Sequence, residues 1–573
     1  MKDLTQLMLA RPFKVRNADE FDLAGVLHRF INPRANLYSP FEYESSILRG
    51  KKGTGKTMYL RANYALYQYD VYAGIADGRR LHIPIFLSLS KFQHIKDPEK
   101  LYRAIMLSLC ENLIESYANL LDSNYMRKVH MGMRSLPDYY FSAAKIREAG
   151  KKLLKMNVEN YVETIEARQE GVFGAKAKFI EMMAKVLGSQ KEQFTRDQSA
   201  SISSLIDMQS SLLEGCDADI LILLDEAGSL HRSFFEGDKD DSMFEVMLNQ
   251  FRTTESIRCK VAVYPNAPSD KVSDTRYGDR ITLEDDIGNA NGYKQFRAKT
   301  LCLIDRYINE FYESPTFLHG DLFEVEDQDY GDCIEQIIYG SAGNMRLLVQ
   351  LLDLATAASH QRAEGKAKVS KADVELALSE FSYNTLSTYS ASERDLLIKI
   401  AAECKRRTAF RFTYKYNTLV LNRLAQRSEE YNLVEIMEFG SGRAPTKYNL
   451  DYCTCVREKI PTHVRSGESA SAVKINHERS LANGQWNKRV CALEATGSQD
   501  SCADSITGNV VCLPVDNKLG SIIDEVGTFY HFFPADVKNE SEDKKLEEES
   551  RVSFIPVVLA DGQGIAHTIV AMG

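Results

Sequence analysis

Ser46-Ile-Leu-Arg-Gly50-Lys-Lys-Gly53-Thr54-Gly55-Lys56-Thr57 limits what this chain can fold into more than any other stretch of it. An apolar run, a glycine-rich turn and the helix-forming run Met58 to Leu66 follow one another without a gap. Gly50, Gly55, Lys56 and Thr57 satisfy the spacing of a phosphate-binding loop set between a strand and a helix. Gly50, Gly53 and Gly55, with Thr54 among them, are expected to carry the backbone through φ > 0. They would turn its amides toward phosphate oxygens at the positive end of a helix beginning near Lys56. Lys56 would reach the β- and γ-phosphates, and Thr57 would set its hydroxyl on a magnesium ion.

Such a loop needs an acidic strand end beside it. Asp219-Ile-Leu-Ile-Leu-Leu-Asp225-Glu226 supplies one, an unbroken apolar run of the kind buried on both faces of a sheet, ending in two carboxylates. Asp225 is the candidate magnesium partner. Glu226, leaving the strand in a different direction, is the candidate that orients or deprotonates an attacking water. Together the two stretches predict a site for ATP and Mg2+.

At 573 residues the chain is long for one core, and several domains are expected. Its 44% hydrophobic and 26% charged residues are those of an ordinary soluble protein. No apolar run of about eighteen residues suggests a membrane span, and the opening Met1-Lys-Asp-Leu is too interrupted for a secretory signal, so a cytoplasmic protein is expected. The eleven cysteines are scattered, and Cys453-Thr-Cys455 has the spacing of neither a zinc knuckle nor a redox pair, which predicts reduced structural thiols. A net charge of −9 excludes a generally basic surface, so contact with nucleic acid has to come from a local patch.

Residues 11–45 show helical spacing followed by Asn-Pro and Ser-Pro loop signals. His82 to Ser90 reads as a second strand, with Pro84 tolerated only near its start or on a sheet edge. Residues 101–215 carry helical spacing in pieces such as Tyr102 to Leu121 and Val162 to Leu187. Since one αβ unit takes roughly thirty residues, the surplus predicts a helical insertion. Ser242 to Ser256 predicts an amphipathic helix, and Cys259 to Asn266 a strand whose last residue is either a γ-phosphate sensor or part of a turn. Arg276 and Arg280 precede the short strand Ile281 to Leu283, and each is either a cation reaching a neighbouring subunit's nucleotide or a surface charge. Tyr339-Gly340-Ser-Ala-Gly343-Asn-Met-Arg346 turns into a helix whose first turn carries Arg346, a charge that a separate helical domain would bring to the γ-phosphate.

In their order, the phosphate loop, the Asp-Glu strand, the strand ending at Asn266, Gly340-Ser-Ala-Gly-Asn-Met-Arg346 and Val369-Ser-Lys-Ala-Asp-Val-Glu-Leu-Ala-Leu378 resemble an AAA+ P-loop ATPase of the origin-recognition and initiator type, near the STAND signalling NTPases. The resemblance spans residues 11 to about 385. It implies that Lys56 and Thr57 serve phosphate and magnesium and that Asp225 and Glu226 are the Walker B pair. It further implies that Asn266 is sensor 1, Arg346 sensor 2 and Arg276 the arginine finger, with Arg280 competing for that last role. The 101–215 stretch departs from the compact pattern.

Residues 392–465 read as a winged helix, with a capped helix from Ser392, a candidate recognition helix from Thr418 to Arg427 and a hairpin from Leu433 to Leu450. The segment holds fourteen Lys and Arg against nine Asp and Glu, including Lys405, Arg406, Arg407, Arg411, Lys415, Arg423, Arg427, Arg443 and Lys447. That local excess, with the resemblance, implies contact with DNA. The other reading is a protein-packing module. The last hundred residues alternate strand-like pieces with turns, hold the sole tryptophan, Trp486, and predict a small β-rich interaction domain.

The expected architecture is α/β. A P-loop AAA+ core, a mostly parallel sheet flanked by helices, covers residues 1–300 with a helical insertion at 101–215. A helical lid covers 301–385, a winged helix 386–465 and a β-rich C-terminal domain 466–573. The expected function is an ATP-binding and hydrolysing switch that couples nucleotide state to DNA binding or homo-oligomer assembly, the resemblance adding a bacterial antiviral or mobile-element setting. The alternative is an ATP-stabilised scaffold recruiting a protein effector. No membrane partner is expected.

Overall fold

In the computed structural model the described residues are 4–33, 39–156, 201–212, 218–236, 242–265, 279–309, 317–324, 332–414, 418–427, 430–440, 445–464, 485–493, 505–513, 520–524, 529–532, 537, 546–558 and 564–571. They fall into two compact units, Met1–Ala377 and Leu378–Gly573.

The first unit opens with helices α1 (Leu4–Leu9) and α2 (Leu23–Arg29), followed by strand β1 (Ser46–Arg49), helix α3 (Lys56–Asp77) and strand β2 (Leu81–Ser88). Helices α4 (Pro98–Leu121), α5 (Ser123–Gly132), α6 (Ala143–Met156) and α7 (Ile202–Leu212) lead to β3 (Ala218–Asp225). Then come α8 (Met243–Thr253), β4 (Ile257–Val263) and β5 (Asp279–Thr282). The five strands form one sheet in the order β2-β3-β4-β1-β5, every pair parallel. All eight residues of β3 are buried, as its apolar run predicts for a strand paired on both sides and covered on both faces. Pro84 lies inside β2, but β2 is an edge strand, so the missing N–H costs no ladder bond.

The described helices between residues 98 and 212 cover this sheet. Helix α4 packs on β2, α6 on α3 and α5 on α2. Leu101, Leu109, Leu113, Tyr117, Met126, Ala149 and Leu205 join the same buried cluster as the strand residues. This part of the 101–215 stretch therefore builds the core, and Val162 to Leu187 lies outside the described residues.

The first unit continues in helices α9 (Ala290–Ile308), α10 (Cys333–Ser341), α11 (Met345–Ala363) and α12 (Lys371–Ser387), the last crossing the boundary between the units. The link between α10 and α11 is left-handed at Ala342 (φ 49°) and Gly343 (φ 80°), and Asn344 then caps α11 by accepting the Leu347 N–H. No described helix is long and apolar enough to cross a membrane.

In the second unit, α13 (Ala391–Arg406), β6 (Arg411–Tyr414), α14 (Thr418–Ala425), β7 (Val434–Glu438), β8 (Lys447–Leu450) and α15 (Tyr452–Glu458) follow in order. The cap of α13 is Ser390 in a capping box with Glu393, two residues before the expected Ser392, because the Ser-x-x-Glu register fits only there. After the short pair β9 (His463–Val464) and β10 (Gln485–Trp486), strand β11 (Val490–Leu493) pairs parallel with β6 in a sheet ordered β11-β6-β8-β7. The chain ends in a closed five-stranded barrel of β12 (Ile506–Cys512), β13 (Gly520–Asp524), β14 (Phe529–Phe532), β15 (Arg551–Val558) and β16 (Gly564–Ala571). Val510, Ile522, Phe532, Val552, Phe554 and Ile569 fill its interior.

Candidate functional site

Strand β1 ends at Arg49, and residues 50–55 carry the chain straight into α3. Gly53 (φ 87°) and Gly55 (φ 96°) adopt the left-handed conformation that the loop needs. Gly50 does not, contrary to expectation. Its requirement is space, since a Cβ there would lie 2.4 Å from Thr54 Oγ1. The Thr54 hydroxyl donates to the Lys51 carbonyl at 2.8 Å, and the Lys51 N–H donates to Glu284 Oε1 at 2.7 Å, so the loop is tied both to itself and to the segment after β5. Lys56 is buried. Its Nζ donates to the carbonyls of Gly50 and Lys51 and lies 4.2 Å from the centroid of the Tyr264 ring, a cation held by loop dipoles and an aromatic face.

Strand β4 runs between β1 and β3, so the loop after β1, the acids after β3 and Tyr264 after β4 emerge together at the carboxyl ends of the parallel strands. Asp225 is 4% exposed, and burial pushes its carboxyl up to about 6 against the opposing pull of hydrogen bonds from the Thr57 hydroxyl and the Glu226 amide. Thr57 and Asp225 are thus already in contact across the sheet. Glu226 leaves β3 in the left-handed region (φ 57°), a conformation that costs a non-glycine residue about 1 kcal/mol, and its Oε2 accepts from Ser88 Oγ at 2.8 Å. Ser88 is level with Asp225 in the β2–β3 register.

The α10–α11 turn closes over the loop. Asn344 Nδ2 donates to the Lys52 carbonyl at 2.8 Å, and the Arg346 N–H donates to the Gly53 carbonyl at 3.1 Å. A Cβ on Gly53 would lie 2.4 Å from Asn344 Oδ1, so glycine is required there twice over, for its φ and for the approach of α11. Residues 52–57, Glu226, Tyr264 and Arg346 line one cleft.

Residues 11–233 match the ORC-CDC6-like family model. Over that span the chain is similar to ORC-CDC6-like proteins. No curated protein matches it. Among solved structures the ORC2 protein of Aeropyrum pernix, described as ADPNP and ADP complexes, is similar at 12% identity over 82% of this chain and 94% of that one, with a TM-score of 0.28.

Residues of the matched span before the loop line the cleft as well. Arg16, Arg29, Phe30 and Ile31 line it together with Leu303, Tyr307 and Val349 from α9 and α11. The Arg29 guanidinium lies 4.5 Å from the centroid of Phe21 and 5.0 Å from that of Tyr307, and burial lowers its pKa. Within the lining of the same cleft, Lys299 Nζ pairs with Asp285 at 2.8 Å.

Of the residues singled out in the sequence, Gly53, Thr54, Gly55, Lys56, Thr57, Glu226 and Arg346 meet around this cleft, with Asp225 behind Thr57. Asn266 and Arg276 lie outside the described residues. Arg280 is an exposed residue of the edge strand β5, opposite Ile47. Sequence reasoning passed over Ser88, Tyr264 and Asn344. Ser88 was findable, because a polar residue ending the strand next to an acidic strand end comes level with it in a parallel register. Asn344 carried an N-cap signal, but its second partner, Lys52, is 292 residues away in the chain.

Proposed function

We propose that this chain binds ATP in the cleft between the phosphate loop and helix α11 and hydrolyses it, acting as a switch. The observation that supports this best is that the loop, Glu226 and Arg346 line a single cleft. In this reading the loop amides and Lys56 hold the phosphates, Lys56 exchanging the carbonyls of Gly50 and Lys51 for phosphate oxygens. The apolar side chains of the lining, Phe30, Ile31 and Leu303, take the base and ribose.

Thr57 and Asp225 are hard oxygen donors in contact with each other, a pair suited to magnesium held jointly with phosphate. Bound there, Mg2+ would neutralise charge on the β- and γ-phosphates. Glu226 is the base that orients water, and Ser88 fixes the direction of its carboxylate. Arg346 sits at the start of α11, whose backbone and cap already touch the loop, so nucleotide state and lid position are linked through Gly53 and Lys52. Asn266 as a sensor and Arg276 or Arg280 as a finger from a neighbouring subunit remain parts of the same proposal.

The switch acts on nucleic acid. Helix α13, strand β6, helix α14 and the β7–β8 hairpin follow the order of a winged helix, with one described helix, α14, between β6 and the hairpin. Several of its cations are satisfied internally. Arg423 pairs with Glu393, Arg406 and Arg407 with Glu403, and Lys447 with Glu438, while the Arg427 guanidinium lies 4.0 Å from the Tyr389 ring centroid. Exposed pairs of this kind are weak and yield readily to a phosphate. Arg443 and Lys415 lie outside the described residues.

The test is ATP hydrolysis with and without duplex DNA, in the parent and in Lys56→Ala. DNA-stimulated hydrolysis that Lys56→Ala abolishes, together with nucleotide binding, is expected. Hydrolysis indifferent to DNA would move the output to a protein effector, and equal ATP affinity in Lys56→Ala would remove the nucleotide site.

A further inference from the structure

The C-terminal barrel has a topology that its sequence does not reveal. Strands β12, β13 and β14 form an antiparallel meander, β14 then pairs parallel with β16, and β15 closes the barrel by pairing antiparallel with both β16 and β12. Five strands in the cyclic order first, second, third, fifth, fourth, with the third and fifth parallel, make an OB-type barrel. Barrels of this type present the face of their second and third strands to ligands. Fold alone does not assign a ligand, so the side chains on that face decide.

On β14 the inward residues Tyr530 and Phe532 are buried, and the outward residues Phe529 and His531 are exposed, Phe529 by 52%. Two outward aromatic rings two residues apart on one strand are separated by about 6.6 Å, close to the step between successive bases of an extended single strand. The register sets their neighbours. Phe529 is opposite Ile523, Ile523 opposite Asn509, and Asn509 opposite Arg551, giving a row across four strands of an aromatic ring, an apolar side chain, an amide and a cation. His531 is opposite Ser521, and Val511 on β12 is a further exposed apolar residue, 44% exposed.

The charge of the domain bears on which ligand fits. Residues 505–573 hold five Lys and Arg against eleven Asp and Glu. Seven of those acids lie between residues 536 and 549, and the five strands themselves carry one acid, Asp524, and one cation, Arg551. The strands of the face are thus nearly neutral and aromatic, with Glu549 held beside Val510 at the β12 edge, a surface able to stack bases and ill suited to tracking a phosphate backbone. We propose that the outer face of β12, β13 and β14 binds single-stranded nucleic acid by stacking two bases on Phe529 and His531. This is a second nucleic-acid site, separate in chemistry from any basic contact made by α14.

The full-length protein is titrated into a fluorescent fifteen-residue oligothymidylate, an oligouridylate of the same length and a duplex of the same length, each read by anisotropy. Phe529→Ala with His531→Ala should weaken both single strands about 30-fold or more and leave duplex binding within about twofold, since each lost stack removes roughly a tenfold factor. Phe529→Tyr should retain binding, showing that the ring and not the fold is required. Binding by the parent should vary weakly with salt, because few phosphates are neutralised. A parent protein that binds neither single strand at tens of micromolar overturns the proposal, as does a double variant that binds them like the parent. A parent and a double variant that differ only in self-association would make the face a protein contact and overturn it equally.

Discussion

Replacing Gly53 by alanine tests the link between the phosphate loop and helix α11. Two costs follow from the geometry. The backbone sits at φ 87°, where a Cβ costs about 1 kcal/mol. The added methyl would also lie 2.4 Å from Asn344 Oδ1 and 2.7 Å from Nδ2, so the amide has to leave. In leaving it gives up its cap on the Leu347 amide (3.1 Å) and its bond to the Lys52 carbonyl (2.8 Å), each worth about 1 kcal/mol. Gly53→Ala should therefore lose about 3 kcal/mol, roughly 100-fold in ATP affinity if all of it reaches the nucleotide. Asn344→Ala alone should lose about 2 kcal/mol, roughly 30-fold. With the amide already absent, the new methyl meets no obstacle and adds only its backbone strain. The double variant should thus lose about 3 kcal/mol, and not the 5 or so that addition would give. Titration of a fluorescent ATP analogue against the four proteins, with thermal unfolding to confirm that each is folded, measures the cycle. Losses that add to within about 0.5 kcal/mol would refute the coupling of loop and helix through Asn344.

Glu226→Gln should keep ATP bound and stop hydrolysis, because the amide retains the contact with Ser88 and loses basicity; turnover at the parental rate would remove Glu226 from the mechanism. Glu226→Gly should be as inactive but about 0.5–1 kcal/mol more stable in urea unfolding, since glycine relieves the left-handed strain at φ 57°. His463 is 1% exposed, lies with its ring centroid 4.2 Å from that of Trp486 in a tilted contact, and has its pKa pushed down to about 3 by burial. Below its ordinary value the unfolded chain takes up a proton that the folded chain refuses, so the stability of the second unit is complete at neutral pH and is lost as pH falls through the window from about 6.5 toward 3. The loss should reach about 2 kcal/mol at pH 5, read by the fluorescence of Trp486 during urea unfolding, and a His463→Gln protein should not show it. Arg423→Ala with Arg427→Ala should weaken duplex binding across all sequences and flatten its salt dependence; unchanged binding would take the duplex contact away from α14.

The local chemistry of the cleft was determined by the sequence. Glycines 53 and 55 before Lys56 permit one backbone path, and the apolar run Ile220 to Leu224 ahead of Asp225 has no stable place outside a fully covered strand. Nearly every such signal spans under twenty residues, which is the range over which turn preference and apolar period act. What the tertiary structure decided is which local pieces meet. The strand Ile257–Val263 entered the sheet between β1 and β3, and that order brings Thr57 to Asp225. Lys260 on the same strand, a residue that composition would place outside, is buried because Asn63 accepts its Nζ at 3.0 Å and the Tyr59 ring lies 5.7 Å away. Ser88 with Glu226, Asn344 with Lys52, and the parallel pairing of β14 with β16 that makes the last domain an OB-type barrel join residues separated by about thirty to nearly three hundred positions. No local preference encodes such pairings. They exist because burying the apolar faces of strands and helices leaves few arrangements of the whole chain, and the polar contacts form where that arrangement sets their partners side by side.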